Sequence, residues 1–147
     1  MKLRHSLGKW GACLLGGLFL GASISHALDM LSSEEQKKLG LSLVWITKPP
    51  VSVKLVQTFP VEWKLIGGLE VPHLNLHACP AEFGPHCTPQ QGRLDGAILK
   101  GKGNSEYKED FTFPETAKTG KYVMVGHVEV DGNNVMTDPI EVTVMPK

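Results

Sequence analysis

The chain has no Asn-X-Ser/Thr sequon, no Gly-X-Ser-X-Gly elbow, no P-loop and no His-Glu-X-X-His segment. Those absences remove the familiar sequence signs of N-glycosylation, serine hydrolysis, nucleotide binding and zinc proteolysis. Cys-X-X-Cys is missing too, and with it the thioredoxin type of redox chemistry. No apolar run reaches the roughly 20 residues of a membrane-spanning helix. An excess of basic groups is also lacking: 15 Lys and Arg face 15 Asp and Glu. Binding the phosphate backbone needs a basic face, so nucleic acid is not an expected partner.

The first 27 residues have the composition of a secretory signal peptide. Lys2, Arg4 and Lys9 form a positive start, and a Gly-rich apolar run from about Gly11 to Ile24 follows. Ser25-His26-Ala27 places small residues at the −3 and −1 positions of a cleavage site, with Leu28 as the new N-terminus. Those 27 residues carry three of the basic groups, none of the acidic ones and Cys13. The expected mature chain therefore has 120 residues, a net charge of −3 and two cysteines, Cys79 and Cys87. That length suits one domain with its own core. The expectation is a secreted or lumenal protein, and a monomer.

Residues 28–40 form an N-terminal segment with one short predicted helix. Ser32 or Ser33 caps it, Glu34 and Glu35 suit its first turn, Lys37 and Lys38 its last, and Gly40 its stop. From Leu41 to Lys147 the texture is β. "LSLVWIT" reads as a strand ended by Lys48-Pro49-Pro50. From Val51 to Leu65 the odd positions are Val51, Val53, Leu55, Gln57, Phe59, Val61, Trp63 and Leu65, against Ser52, Lys54, Thr58, Glu62 and Lys64 between them. This period of two puts one face on a core and one in water. Pro60 interrupts the ladder, which predicts two strands or an edge strand with a bulge. Further strands are expected around Ala97–Leu99 and Tyr107–Phe113. A hairpin of Tyr122–Val130 and Val135–Val144 is expected around Asp131-Gly132-Asn133-Asn134. About seven short strands at this spacing predict an antiparallel β-sandwich.

Twenty residues, His73 to Gly92, hold both remaining cysteines, three histidines and three prolines. In an oxidising compartment two remaining cysteines pair, and closing so small a loop stabilises by roughly 2–3 kcal/mol. A metal site would draw on His73, His77, Cys79, His86 and Cys87. However, "VPHLNLHAC" alternates as a strand does, which sets His73 and His77 roughly 13 Å apart along it. Oxidised cysteines are also lost as ligands. The expectation is a Cys79–Cys87 disulfide, with no metal and no cofactor. Glu62, Glu70, Asp95 and Asp110 are scattered over solvent faces with nothing to pair them as acid and base, so catalysis is not expected. His127 is opposite in parity to Tyr122, Met124 and Val128, which predicts that it faces water.

The large apolar groups are Trp45, Phe59, Trp63, Phe83, Phe111, Phe113, Tyr122 and Met124. They either fill a core or line a cavity between splayed sheets, and periodicity does not separate the two.

"GGLEVPHLNLHACPAEFGPHCTPQQG" is similar to the centre of the ML-domain (lipid-recognition) family. That family includes the Niemann–Pick type C sterol carriers, group 2 mite allergens and fungal phosphatidylglycerol/phosphatidylinositol transfer proteins. Its members have a strand, a cysteine, a short irregular loop, then Cys-Pro and a Lys/Gly-rich turn. Here that order reads Ala78-Cys79, the loop to His86, Cys87-Thr88-Pro89 and Gln90-Gln91-Gly92. "YKEDFTFPETAKTGKYVMVGHVEVDGNNVMTDPIEVTV" resembles the family's ending. Only the central cysteine pair is kept, and Cys-Pro is stretched to Cys-Thr-Pro.

The resemblance implies an immunoglobulin-like sandwich of seven to eight strands whose sheets separate to admit a lipid. It implies carriage of a sterol or phospholipid acyl chain, with transient contact to a membrane or membrane protein. Burial of the chain would drive binding at about 0.8 kcal/mol per methylene. The implied liners are Val53, Leu55, Phe59, Val61, Trp63, Leu65, Phe111, Phe113, Tyr122, Met124 and Val142. Phe83 would sit at the rim, and Lys100 and Lys102 would meet an anionic headgroup. The alternative from the apolar pattern alone is a secreted immunoglobulin-like interaction module with a filled core.

Overall fold

A computed structural model describes residues 38, 40–67, 73–100, 105–130 and 133–147. The expected signal peptide, most of the expected helix, Glu70, Lys102 and the Asp131-Gly132 tip lie outside the described residues, as does the side chain of Lys100. Ten strands follow one another: β1 (Ser42–Thr47), β2 (Ser52–Lys54), β3 (Thr58–Ile66), β4 (His73–Pro80), β5 (Leu94–Asp95), β6 (Leu99–Lys100), β7 (Glu106–Thr112), β8 (Gly120–Val130), β9 (Asn133–Met136) and β10 (Ile140–Met145). They form a three-stranded sheet, β1-β3-β7, and a larger one ordered β2-β10-β8-β4-β5. β6 extends the second sheet along β4, and β9 extends it along β8. The protein is an all-β, immunoglobulin-like sandwich; the strand spacing predicts the sandwich.

Alternation builds the core. On β3 the odd positions Phe59, Val61, Trp63 and Leu65 are buried, and across the sheet so are Tyr107 and Phe111 of β7. The facing sheet supplies Leu74, Leu76 and Ala78 from β4, Tyr122, Met124 and Val128 from β8, and Val142 and Val144 from β10. Each set is one face of a pleated strand, which is why the two sheets close over a single apolar layer. Trp63 lies flat on Tyr107, with ring centroids 5.2 Å apart and planes within 10°.

Four details depart from the sequence expectations. The described residues form ten strands because β2, β5, β6 and β9 are short pieces of two to four residues, below what periodicity resolves. The Val51–Leu65 run does divide, but at residues 55–57 and not at Pro60. Gln57 N–H donates to the Lys54 carbonyl (3.1 Å) to close the turn, and Val56 adopts φ 59°. Pro60 sits inside β3, past Glu62, the last β3 residue paired with β1, so the missing N–H falls where the strand is locally an edge. The sandwich is also not wholly antiparallel: β2 runs parallel to β10.

The fourth departure is in the predicted hairpin. The pairing of β8 with β9 (His127 with Met136) and with β10 (Met124 with Ile140) differs by one residue in register. Thr137 fills the break. Its backbone N–H donates to the Gly126 carbonyl (3.0 Å), and its hydroxyl accepts from Gly126 N–H (2.9 Å). That side chain therefore replaces the ladder bonds that the shift removes.

One side of the sandwich is joined by Glu109 of β7. Its carboxylate accepts from the Tyr107 hydroxyl and from Ala97 N–H (3.1 Å), in the segment between β5 and β6. Gly96 N–H beside it donates to Leu76 O of β4 at 2.9 Å. A residue of the small sheet thus holds the edge of the large one. Burial, with Glu109 next to it, keeps the Tyr107 hydroxyl protonated, its pKa raised above the ordinary tyrosine value.

Candidate functional site

Cys79 at the end of β4 and Cys87 are bonded, with Cα atoms 5.7 Å apart, and both are buried. Between them the chain makes a 3-10 turn over Ala81–His86, broken at Gly84, whose φ is 68°. A second turn, Pro89–Gln91, is capped reciprocally. Gln91 N–H has Thr88 as acceptor, and the Gln91 side-chain oxygen accepts from Thr88 N–H (2.9 Å). Gly92 closes it with φ 97° and lies against the Pro80 ring. The stapled loop is therefore internally satisfied and rests on the larger sheet.

Two cavities adjoin this loop. One of about 360 Å³ lies between the loop (Pro80, Glu82, Phe83, Gln90–Gly92, Leu94) and the turn before β8 (Thr116–Lys118), with Tyr122 at its base. A second of about 380 Å³ shares Pro80, Glu82, Lys118 and Tyr122 with it and extends to Lys121. Phe83 is 43 % exposed at the mouth, an apolar ring held in water by the loop that carries it.

The residues expected to line a lipid cavity divide sharply. Val53, Phe59, Val61, Trp63, Leu65, Phe111, Phe113, Tyr122, Met124 and Val142 are buried in one cluster, and Leu55 packs against it, partly buried. Phe59 contacts Phe111 and Phe113 at centroid distances of 5.8 and 6.2 Å; Phe113 meets Phe111 at 5.2 Å and Tyr122 at 4.9 Å. These rings contact one another between the sheets. Phe83 and Tyr122 alone of the expected set border the cavities at the mouth.

A different group of residues comes together on the outer face of the large sheet, under the stapled loop. His77 of β4 and His127 of β8 stack with ring centroids 5.0 Å apart. Asp95 of β5 lies 3.4 Å from His77 Nε2 and 2.9 Å from Arg93 Nε. His127 has Asn75 Oδ1 at 3.3 Å from Nδ1 and Asn134 Oδ1 against Nε2. The two histidines, Arg93 and Asn134, with His86, Cys87 and Met136, enclose a pocket of about 100 Å³. Burial is the largest influence on all three histidines and lowers each pKa. His77 falls to about 4, pushed further by His127 and only partly restored by Asp95.

His127 is thus on the outer face, as its parity predicts, but half-buried there and not in open water. The sequence pattern singles out His73 and His77 as a pair and passes over His127. The signal it does carry is that His77 and His127 both take outward parity. Bringing them together requires the β4–β8 pairing, Asn75 opposite His127, which no local pattern encodes. Among the described residues no group of three His, Cys, Asp or Glu side chains is arranged to hold a metal. The ring nitrogens of His127 and Nε2 of His77 already face amide or carboxylate oxygens.

These features define an all-β immunoglobulin-like module with a disulfide-stapled loop over one sheet. No protein-family model matches the chain, and no curated protein does. Among solved structures it is similar to a chitin binding domain from Burkholderia pseudomallei (12% identity, TM-score 0.47, 66% of this chain and 57% of that one). It is also similar to an AA10 lytic polysaccharide monooxygenase from Streptomyces lividans (12% identity, TM-score 0.46, 65% of this chain and 59% of that one). A third is the CARDB domain of the PF1109 protein from Pyrococcus furiosus, solved with di-metal ions (17% identity, TM-score 0.36, 73% of this chain and 94% of that one). The chain spans less than two thirds of the length of the first two. The ML-domain resemblance rests on the sequence motifs.

Proposed function

We propose that the protein is an exported binding module with a filled core, which uses the stapled-loop end to hold one apolar side chain of a partner protein. The observation that carries this reading is the mutual packing of Phe59, Phe111, Phe113 and Tyr122. A carrier needs that volume for cargo, and emptying it would expose about as much apolar surface as the cargo covers. The mouth cavity of about 360 Å³ suits a single large side chain, with Phe83 and Leu94 giving apolar contact and Glu82 and Lys118 at its margin. The binding energy would come from a desolvated apolar anchor inside a polar border.

A second reading is lipid binding, in which an acyl chain enters at the same mouth. It is favoured by Phe83 and Tyr122, the two expected lipid contacts that border the cavity. Native mass spectrometry of the mature protein, after incubation with mixed phospholipid and sterol vesicles, separates the two. The filled-core reading expects the bare protein mass and no uptake of sterol or phospholipid probes. A one-to-one lipid adduct that is lost in Phe83→Asp would overturn it in favour of lipid carriage.

A further inference from the structure

We propose that the pocket enclosed by His77, His86, Arg93, His127 and Asn134 binds a small oxyanion, a carboxylate, sulfate or phosphate group, independently of the mouth cavity. The pocket is built from four elements: β4, the stapled loop, β8 and β9. Its decisive feature is Asn134, 2 % exposed, whose Nδ2 has no hydrogen-bond partner although the residue lines the pocket. A buried amide donor left unpaired costs about 1–3 kcal/mol, so an acceptor belongs there.

Where His127 carries its proton decides which end of Asn134 is free. Its two ring nitrogens face the oxygens of Asn75 and Asn134. A neutral imidazole donates from one nitrogen only. With the proton on Nε2, Asn134 accepts through Oδ1 and keeps Nδ2 for the pocket. Asn75, less buried, then turns its amide N–H toward Nδ1. Arg93 supplies a second free donor: Nε lies 2.9 Å from Asp95 Oδ1, but its N–H is not aligned with that oxygen and stays unpartnered. The space, about 100 Å³, would hold about three waters or one compact oxyanion.

Charge makes the site conditional. The groups facing the histidine stack are Asn75 of β4, Asp95 of β5, Arg93 and His86 of the loop, Glu129 of β8 and Asn134 of β9. Arg93 and Asp95 neutralise each other, and burial keeps the histidines uncharged at neutral pH. An anion in the pocket offsets that burial cost, so it binds together with protons and binds more tightly as pH falls.

The test is an NMR titration with sodium sulfate, whose charge is constant over the range, against chloride at matched ionic strength, at about pH 5.5 and about pH 7.5. The expected result is a saturable shift of the Asn134 side-chain amide and of the Cys87–Arg93 backbone amides. Affinity should be at least about tenfold tighter at the lower pH. Arg93→Gln and Asn134→Asp should each lose the saturable response. If Asn134→Asp does not fold, His86→Gln, at an exposed position of the pocket wall, should weaken sulfate binding more at the lower pH than at about pH 7.5. Absence of a saturable shift at both pH values, equal affinity at both, or parent-like binding by Arg93→Gln would overturn the proposal and leave the pocket to water.

Discussion

Gly126 and Trp63 share one space: a Cβ on Gly126 would lie 2.6 Å from Cδ2, Cε2 and Nε1 of the Trp63 indole. Trp63 has no exposed surface and is stacked on Tyr107 from the other side, so it cannot withdraw. The glycine is required here by close approach and not by backbone conformation, since its φ is not positive. Gly126→Ala is expected to cost about 2–3 kcal/mol through overpacking, read from the midpoint of urea unfolding. In Trp63→Leu the same alanine enters a relieved site, so the double variant should be clearly more stable than the sum of the two losses. Additive losses would show that the two residues do not compete for space.

Residues such as these mark how far the sequence is legible. The alternation from Phe59 to Leu65 and the even positions of β8 identify the core from the residue pattern alone, because burial on one pleated face leaves a period of two. The disulfide is likewise legible, from cysteine count and expected compartment together. The division of the Val51–Leu65 run at Val56 is not, because a β-branched residue at positive φ contradicts local preference and is imposed by tertiary bonds. Nor is the stacking of His77 on His127 or the shared cavity of Glu82 and Lys118, since each joins segments about 36 to 50 positions apart through strand order, which local patterning does not encode. Filled core and open cavity also have the same pattern, since both need apolar inward faces.

Val56 is the one non-glycine residue with positive φ among the described residues, and it is 41 % exposed. Three bonds hold it there: Leu55 N–H to Met145 O (3.0 Å), Val56 N–H to Phe113 O (2.9 Å) and the turn bond of Gln57. Left-handed backbone costs a β-branched residue about 1–2 kcal/mol. Val56→Asn, which tolerates that region, should raise stability by about 1 kcal/mol in thermal or urea unfolding. A loss of stability would indicate that the valine side chain contributes packing that its exposure conceals.

Glu109 accepts from both Tyr107 and Ala97, and so spans the two sheets. Glu109→Ala would strand the buried Tyr107 hydroxyl and leave the Ala97 N–H without its acceptor, for a loss of about 2–3 kcal/mol. Glu109→Gln keeps an oxygen for one of these donors and should lose less. Hydrogen exchange should show the Ala97 and Gly96 amides opening first in Glu109→Ala. Unchanged protection at both would refute the bridging role.

His77 makes stability depend on pH in a stated direction. Its folded pKa of about 4 lies below the ordinary histidine value of 6.5, because burial and the stacked His127 disfavour the imidazolium more than Asp95 favours it. As pH falls through the ordinary value, the unfolded chain takes up a proton that the folded chain refuses. The contribution is therefore complete above about pH 6.5 and is lost between there and about pH 4, for at most about 3 kcal/mol. His86 and His127 are lowered too and add to the same slope. Urea midpoints measured in chloride buffers across this window should fall steadily for the parent and less steeply for His77→Gln. Sulfate should flatten the parent's slope, because the anion stabilises the protonated pocket. A His77→Gln slope equal to the parent's would mean that His77 is not the group that resists protonation in the folded protein.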